Sequence, residues 1–214
     1  MAHLSTSSKS LSAHLHLPDA PQILDLRDPA DAAADPRRIP GARPTTLAEL
    51  EASDIASGSF VCVCQKGGKF SQLAAAILRS TGASAQSMDG GHLAWIAADL
   101  PLVASGRLAE QWVLPTDPTW DELTSLWVLR RFIDRLAPVM PVTRDWLDQS
   151  ADVWKARIVP NEPCDLASVA QLSHPLLDVL KGGSDRLIAG RLTRITTPLD
   201  ALDLVDDWLA GEAA

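Results

Sequence analysis

The stretch Gly58-Ser-Phe-Val-Cys-Val-Cys64-Gln-Lys-Gly-Gly-Lys-Phe-Ser71-Gln-Leu-Ala-Ala-Ala-Ile-Leu-Arg-Ser-Thr-Gly82 decides the fold. Phe60–Val63 is an apolar run too short for a helix and is predicted to be a strand. Cys64 stands where that strand should end, and Gly67-Gly68 should form a loop. Ser71 can cap a helix, with Leu73, Ala74, Ile77 and Leu78 as its apolar stripe and Gly82 as its stop. This order aims a ring of backbone N–H groups and a helix N-terminus at one sulfur. Both favour thiolate over thiol, and a thiolate in an anion cradle is a nucleophile.

Outward from this stretch the pattern repeats. Gln22–Leu26 is predicted to be a strand, and Asp28–Ala34 a short helix with Pro29 in its first turn. Ile39–Arg43 is a turn. Ala83–Met88 is a further strand candidate, and Gly90-Gly91 leads into a short helix over His92–Ala98. Strands alternating with helices predict an α/β domain with a parallel sheet flanked by helices.

Residues 107–214 differ in texture and hold six of the seven tryptophans. Trp120–Ala137 and Leu199–Ala210 have helical spacing, and Arg144–Asp152 and Ser173–Leu180 are shorter helical candidates. In Leu199–Ala210, Leu199, Leu202, Val205 and Leu209 share one face, with Asp203, Asp206 and Asp207 mostly outside it. Trp112, Trp127 and Phe132 are the expected core anchors. The boundary is placed near Ala104–Arg107, giving a first domain over 1–106 and a mainly α-helical domain over 107–214.

Composition narrows the classes. Of 214 residues, 46% are apolar and 21% charged, which supports a real core and excludes wholesale disorder. The net charge of −8 argues against nucleic acid as a partner. Arg130, Arg131 and Arg135 therefore read as a solvated face or a docking surface. No run of about 18 apolar residues occurs, so no membrane-spanning helix is expected. The first residues lack an apolar signal core, and a cytoplasmic location is expected. Three cysteines make a disulfide framework unexpected. His3, His14 and His16 lack a cysteine or carboxylate cluster at ligand spacing, and His92 and His174 are isolated, so no metal or cofactor is expected. No oligomeric state follows from the sequence.

Four pieces in order resemble the rhodanese (sulfurtransferase) family over residues 10–103. They are Ile23-Leu-Asp25-Leu-Arg27, Ile39-Pro40-Gly41-Ala42, Cys64-Gln-Lys-Gly67-Gly-Lys69-Phe-Ser71, and Gly90-Gly91-His-Leu-Ala94-Trp95 ending at Leu100-Pro101. Family members commonly carry histidine ahead of the Ile-Pro-Gly-Ala turn and arginine at the loop's sixth position, where this chain has Arg38 and Lys69. The resemblance implies a sulfurtransferase that carries sulfane sulfur as a persulfide on Cys64. The donor would be a small sulfur-containing anion of the thiosulfate type, and the acceptor a thiol or a cyanide-like nucleophile. The second half resembles the C-terminal region of chromate-resistance B-type proteins, best over 111–150. Its match is Trp112-Val113, Pro118, Asp121 and Trp127-Val-Leu-Arg130-Arg131-Phe132-Ile133-Asp134. Relatives carry cysteine where Ser125 falls, so no chromate or metal role resting on that thiol is implied. The alternative function is a regulatory protein or sensor of oxyanion (chromate) stress whose loop binds a small anion or sulfur species.

The loop residues suit such chemistry. Gly67 and Gly68 let amides curl inward, and Lys66 and Lys69 add positive charge, so Gln65, Lys66, Gly67, Gly68, Lys69 and Phe70 are the expected substrate-binding residues. Phe70 either walls the pocket or packs on Trp95. Lys69 lies five positions after Cys64, whereas related phosphatases place arginine six positions after their cysteine; the tighter ring favours sulfur over phosphoryl transfer. Asp25, Arg27 and Ser71 are supporting residues, and a structural salt bridge with the loop is the expected role of Asp25 and Arg27. Cys62 is expected in the core, and Cys164 is structural or merely exposed.

Overall fold

The computed structural model describes residues 4–104, 110–162, 176–180 and 198–212. The chain divides into two compact units, Met1–Ser105 and Gly106–Ala214. His3, Cys164, His174 and Arg107, singled out above, lie outside the described residues, as does the start of the Ser173–Leu180 segment; its remainder, Leu176–Leu180, is helical.

The first unit runs β1 (Ser5–Thr6), α1 (Ser8–His14), β2 (Gln22–Asp25), α2 (Pro29–Ala34), β3 (Arg43–Pro44), α3 (Leu47–Glu51), β4 (Ser59–Val63), α4 (Lys69–Ser80), β5 (Ser84–Met88) and α5 (Gly91–Ala97). Its sheet has the order β1-β5-β4-β2-β3, and every pairing is parallel. A parallel sheet needs cover on both faces. β4 shows the consequence: Phe60, Val61, Cys62 and Val63 are all buried, a continuous run with no polar alternation. Ends of elements follow local chemistry. Asp28 caps α2 by accepting the Asp31 N–H at 2.8 Å, and Thr46 and Glu49 form a capping box on α3. An antiparallel bridge between Arg38 and Val103 ties the Ile39 turn to the end of the unit.

The helix after the loop departs from expectation in register. α4 begins at Lys69, its N-cap is Gly68, and no side chain caps it. Ser71 is therefore inside the first turn. The buried face is Ser71, Ala74, Ala75 and Leu78, whereas Leu73 is 49% exposed. Small residues at 74 and 75 let the helix lie close on β4 and β5, which displaces the larger Leu73 from the interface.

The second unit has helices as expected and, in addition, a three-stranded parallel sheet of order β7-β6-β8. Its strands are β6 (Trp112–Pro115), β7 (Val139–Val142) and β8 (Arg157–Ile158). All four residues of β6 are buried, so the strand carries no alternation by which to recognise it. α6 (Trp120–Val128) opens on a capping box of Thr119 and Glu122. It continues as a π-helical turn over Leu129–Ile133 and stops at Asp134, whose backbone is extended, short of the expected Ala137. Trp112, Trp127 and Phe132 are all buried, and the Trp127 and Phe132 rings meet edge to face at 5.5 Å. α7 (Leu147–Trp154) follows a single 3-10 turn over Arg144–Trp146. In the helix Leu202–Glu212, Val205 and Leu209 are buried, while Asp203 and Asp207 are exposed. Asp206 does not lie outside. It accepts the Trp127 indole N–H at 2.7 Å and pairs with Arg131. Arg130 donates to the Arg135 carbonyl at 2.7 Å. The arginine patch is thus largely engaged within its own unit rather than a freely solvated face.

Candidate active site

The loop from Cys64 to Gly68 joins the carboxyl end of β4 to α4. Its carbonyls are tied outward: Cys64 O accepts the His92 N–H at 2.9 Å and Gln65 O accepts the Leu93 N–H at 3.1 Å. These donors are the otherwise unsatisfied amides at the start of α5. With the carbonyls engaged there, the Gly68 N–H is left to point at the Cys64 Sγ, 3.2 Å away. Two glycines make the approach possible. Gly67 has φ +67°, and a Cβ on it would collide with the backbone of Met88, Gly90 and Gly91; a Cβ on Gly91, at φ +60°, would collide with Cys64 and Gly67.

Cys64 Sγ also meets the Ser71 hydroxyl at 3.3 Å, and that hydroxyl donates to Gly68 O at 3.1 Å. Burial alone would raise the Cys64 pKa. The Ser71 hydroxyl and the N–H groups of Ser71, Gly68 and Lys66 outweigh it, and the thiol ends below its ordinary value. Cys62 has no such donors, and burial pushes it up to about 12. Two cysteines two residues apart are thereby set to opposite characters. Cys62 is core, as its place in the middle of β4 requires.

A cleft of about 350 Å³ opens at Cys64. Gln65, Lys66 and Gly68 line it from the loop, Lys69 and Phe70 from the first turn of α4, Leu26 and Asp28 from the β2–α2 connection, and Asp31 from α2. Of the expected substrate-binding residues only Gly67 does not face it, because Gly67 is spent on the contact with the Gly90-Gly91 turn. Phe70 is 57% exposed and walls the cleft, while Trp95 is buried with its indole N–H on Pro101 O. Asp28 and Asp31 were missed from the sequence. Their signal was the position just past a strand's carboxyl end, where open sheets bind ligands.

Asp25 and Arg27 are buried and paired at 2.9 Å, but not with the cysteine loop as expected. Arg27 donates instead to the carbonyls of Asp35 and Arg37, and Arg38 joins the Asp25 carboxylate at 3.2 Å. The cluster braces the segment after α2, because the short side chain of Asp25 reaches the guanidinium two residues away on its own strand end. His92 is buried 3.7 Å from the Asp35 carboxylate. Burial and the Arg27 charge lower its pKa against the opposing pull of Asp25 and Asp35. His14 bonds its own helix at Ser10 O. Among the described residues no group of three His, Cys, Asp or Glu side chains could hold a metal ion.

Residues 7–98 match the family described as the Rhodanese-like domain, and this part of the chain is a rhodanese-like domain. The match supports a sulfurtransferase-like class for this domain. No curated protein matches the chain. Solved structures similar to it include a thiosulfate sulfurtransferase from Pseudomonas aeruginosa, 26% identical with a TM-score of 0.41. That match covers 48% of this chain and only 20% of the Pseudomonas chain. A rhodanese-related protein from Thermoplasma volcanium is 21% identical, with a TM-score of 0.40, over 47% of this chain and 98% of its own. A protein of unknown function from Rhodopseudomonas palustris, described as a possible tyrosine phosphatase, is 27% identical with a TM-score of 0.38 over 47% of this chain and 84% of its own.

Proposed function

We propose that the chain is a thiosulfate-type sulfurtransferase with Cys64 as nucleophile and persulfide carrier. The observation that carries this is the Cys64 sulfur, lowered in pKa by the Ser71 hydroxyl and loop amides, at an open cleft that also holds Lys66 and Lys69. The Cys64 thiolate attacks the outer sulfur of thiosulfate. The S–S bond of the donor breaks, sulfite leaves with the electron pair, and Cys64 holds a persulfide anion. An acceptor thiolate then attacks the outer sulfur, and Cys64 leaves as thiolate. The amides of Gln65–Phe70 receive the negative charge that develops at the transferred sulfur, and Lys66 and Lys69 draw in the donor anion. Phosphoryl transfer is disfavoured, since a point-charge lysine replaces the bidentate arginine that clamps phosphate.

Residues 107–214 are proposed to be a separate chromate-resistance-like domain that does not supply the thiol chemistry, and the location is proposed to be cytoplasmic. Among the described residues no helix is long and apolar enough to cross a membrane. The test is intact mass after mixing the chain with thiosulfate. One added sulfur on the wild type and none on Cys64→Ser is expected; no addition to the wild type, or addition that survives Cys64→Ser, overturns the assignment.

A further inference from the structure

The cleft at Cys64 contains charges of both signs. Lys66 comes from the loop and Lys69 from the start of α4, while Asp28 is the N-cap of α2 and Asp31 lies in its first turn. Opposite charges in so small a space would ordinarily pair. Here the side chains of Asp31, Lys66 and Lys69 make no hydrogen bond or ion pair among the described residues, and the Asp28 carboxylate accepts only the Asp31 N–H that caps α2. The two signs are held on separate elements, one at the start of α2 and one across the loop after β4 and the start of α4. A small anionic donor needs only the lysine wall and leaves the carboxylate wall unused. A ligand carrying both signs satisfies both walls. A cleft of about 350 Å³ lies at the small end of ligand sites and suits a molecule of amino-acid size.

We propose that the acceptor is a small zwitterionic thiol of the α-amino-acid type, its ammonium on Asp28 and Asp31 and its carboxylate on Lys66 and Lys69. The sulfur it receives rests on the persulfide chemistry proposed above. The acceptor thiolate bonds to the outer sulfur, the Cys64–sulfur bond breaks, and the products are an amino-acid persulfide anion and the Cys64 thiolate.

The experiment uses the full chain with Cys164→Ser, so that Cys64 can be followed alone. Persulfidated protein is mixed with L-cysteine, cysteamine, 3-mercaptopropionate or 2-mercaptoethanol at equal thiolate concentration, and loss of sulfur is followed by mass. L-cysteine should react fastest, about fivefold or more ahead of 2-mercaptoethanol, as expected for exposed ion pairs. Asp28→Asn, which retains the capping oxygen, combined with Asp31→Asn should collapse the ratio of cysteamine to 2-mercaptoethanol. Lys66→Met with Lys69→Met should collapse that of 3-mercaptopropionate. The same four thiols are also run against Cys64 blocked as its methyl disulfide, which requires no persulfide. If thiosulfate adds no sulfur but the methyl disulfide shows the charge pattern, the sulfurtransferase assignment falls and the zwitterion preference stands. If the methyl disulfide reacts equally with all four thiols, or the carboxamide variants leave the ratios unchanged, the proposal is overturned.

Discussion

The Cys64 sulfur and the Ser71 hydroxyl lie 3.3 Å apart, one at the end of β4 and the other in the first turn of α4. The same hydroxyl donates to the Gly68 carbonyl, and the Gly68 N–H in turn donates to the sulfur. Ser71 thus acts on the thiol directly and also steadies the amide beside it.

Replacing Ser71 with alanine should raise the Cys64 pKa toward its ordinary value. Ionisation of a thiol with a lowered pKa favours the folded state. That stabilisation is complete above the ordinary value of 9.0 and is lost as pH falls through the lowered one. Alkylation of Cys64 by iodoacetamide near pH 7 should slow about fivefold in the variant, the worth of one hydrogen bond. Cys62 should stay unlabelled in both proteins. An unchanged pH–rate profile would show that Ser71 does not tune the thiol.

Gly67 and Gly68 are adjacent but should respond differently to alanine. A Cβ at Gly67 meets backbone of the Gly90-Gly91 turn, whereas at Gly68 it meets nothing within 4 Å. Gly67→Ala should cost about 2 kcal/mol or more and lower Cys64 reactivity, since the loop must shift as a whole. Gly68→Ala keeps its N–H and should cost well under half as much. Urea titrations of both variants check this, and equal effects would contradict the interlock of the two turns.

Acid should weaken the first unit in two windows. His92 has a pKa lowered below its ordinary 6.5 by burial and Arg27, so the folded state resists protonation. Stability is then full above 6.5 and declines as pH falls toward the lowered value. Thermal melts at pH 7.5 and 5 should differ in the wild type and converge in His92→Gln. Asp35, held at about 2 by Arg37, adds stability above its ordinary 3.8 that disappears as pH falls toward 2. Its contribution is less than about 1 kcal/mol because Arg37 is half exposed.

In the second unit, Asp206 receives both the Trp127 indole and Arg131. Asp206→Ala leaves a buried indole N–H and a cation without their acceptor and should cost about 2 kcal/mol. Asp206→Asn should recover part of this by keeping an oxygen for Trp127. Chemical denaturation followed by tryptophan emission separates the two, and equal losses would mean that the indole bond contributes nothing.

Local chemistry determined much of this protein. Strand, glycine loop and helix follow one another around Cys64 because an apolar β-rich run, two glycines and an alanine-rich stretch each restrict the backbone within a few residues. The parallel first sheet follows from the alternation of such pieces. The fully buried β6 could not be recognised in the same way, since a strand covered on both faces shows no period. Only tertiary structure decided which partners meet across long separations. It put Ser71 against Cys64 by starting α4 two residues before that serine, turned the Asp25–Arg27 pair toward the segment after α2, and drew Asp206 inward to a tryptophan 79 residues away. It also brought Asp28 and Asp31 to the cleft of Cys64. Helix start, side-chain reach and the pairing of buried donors depend on how whole elements pack, and no window of neighbouring residues contains that information.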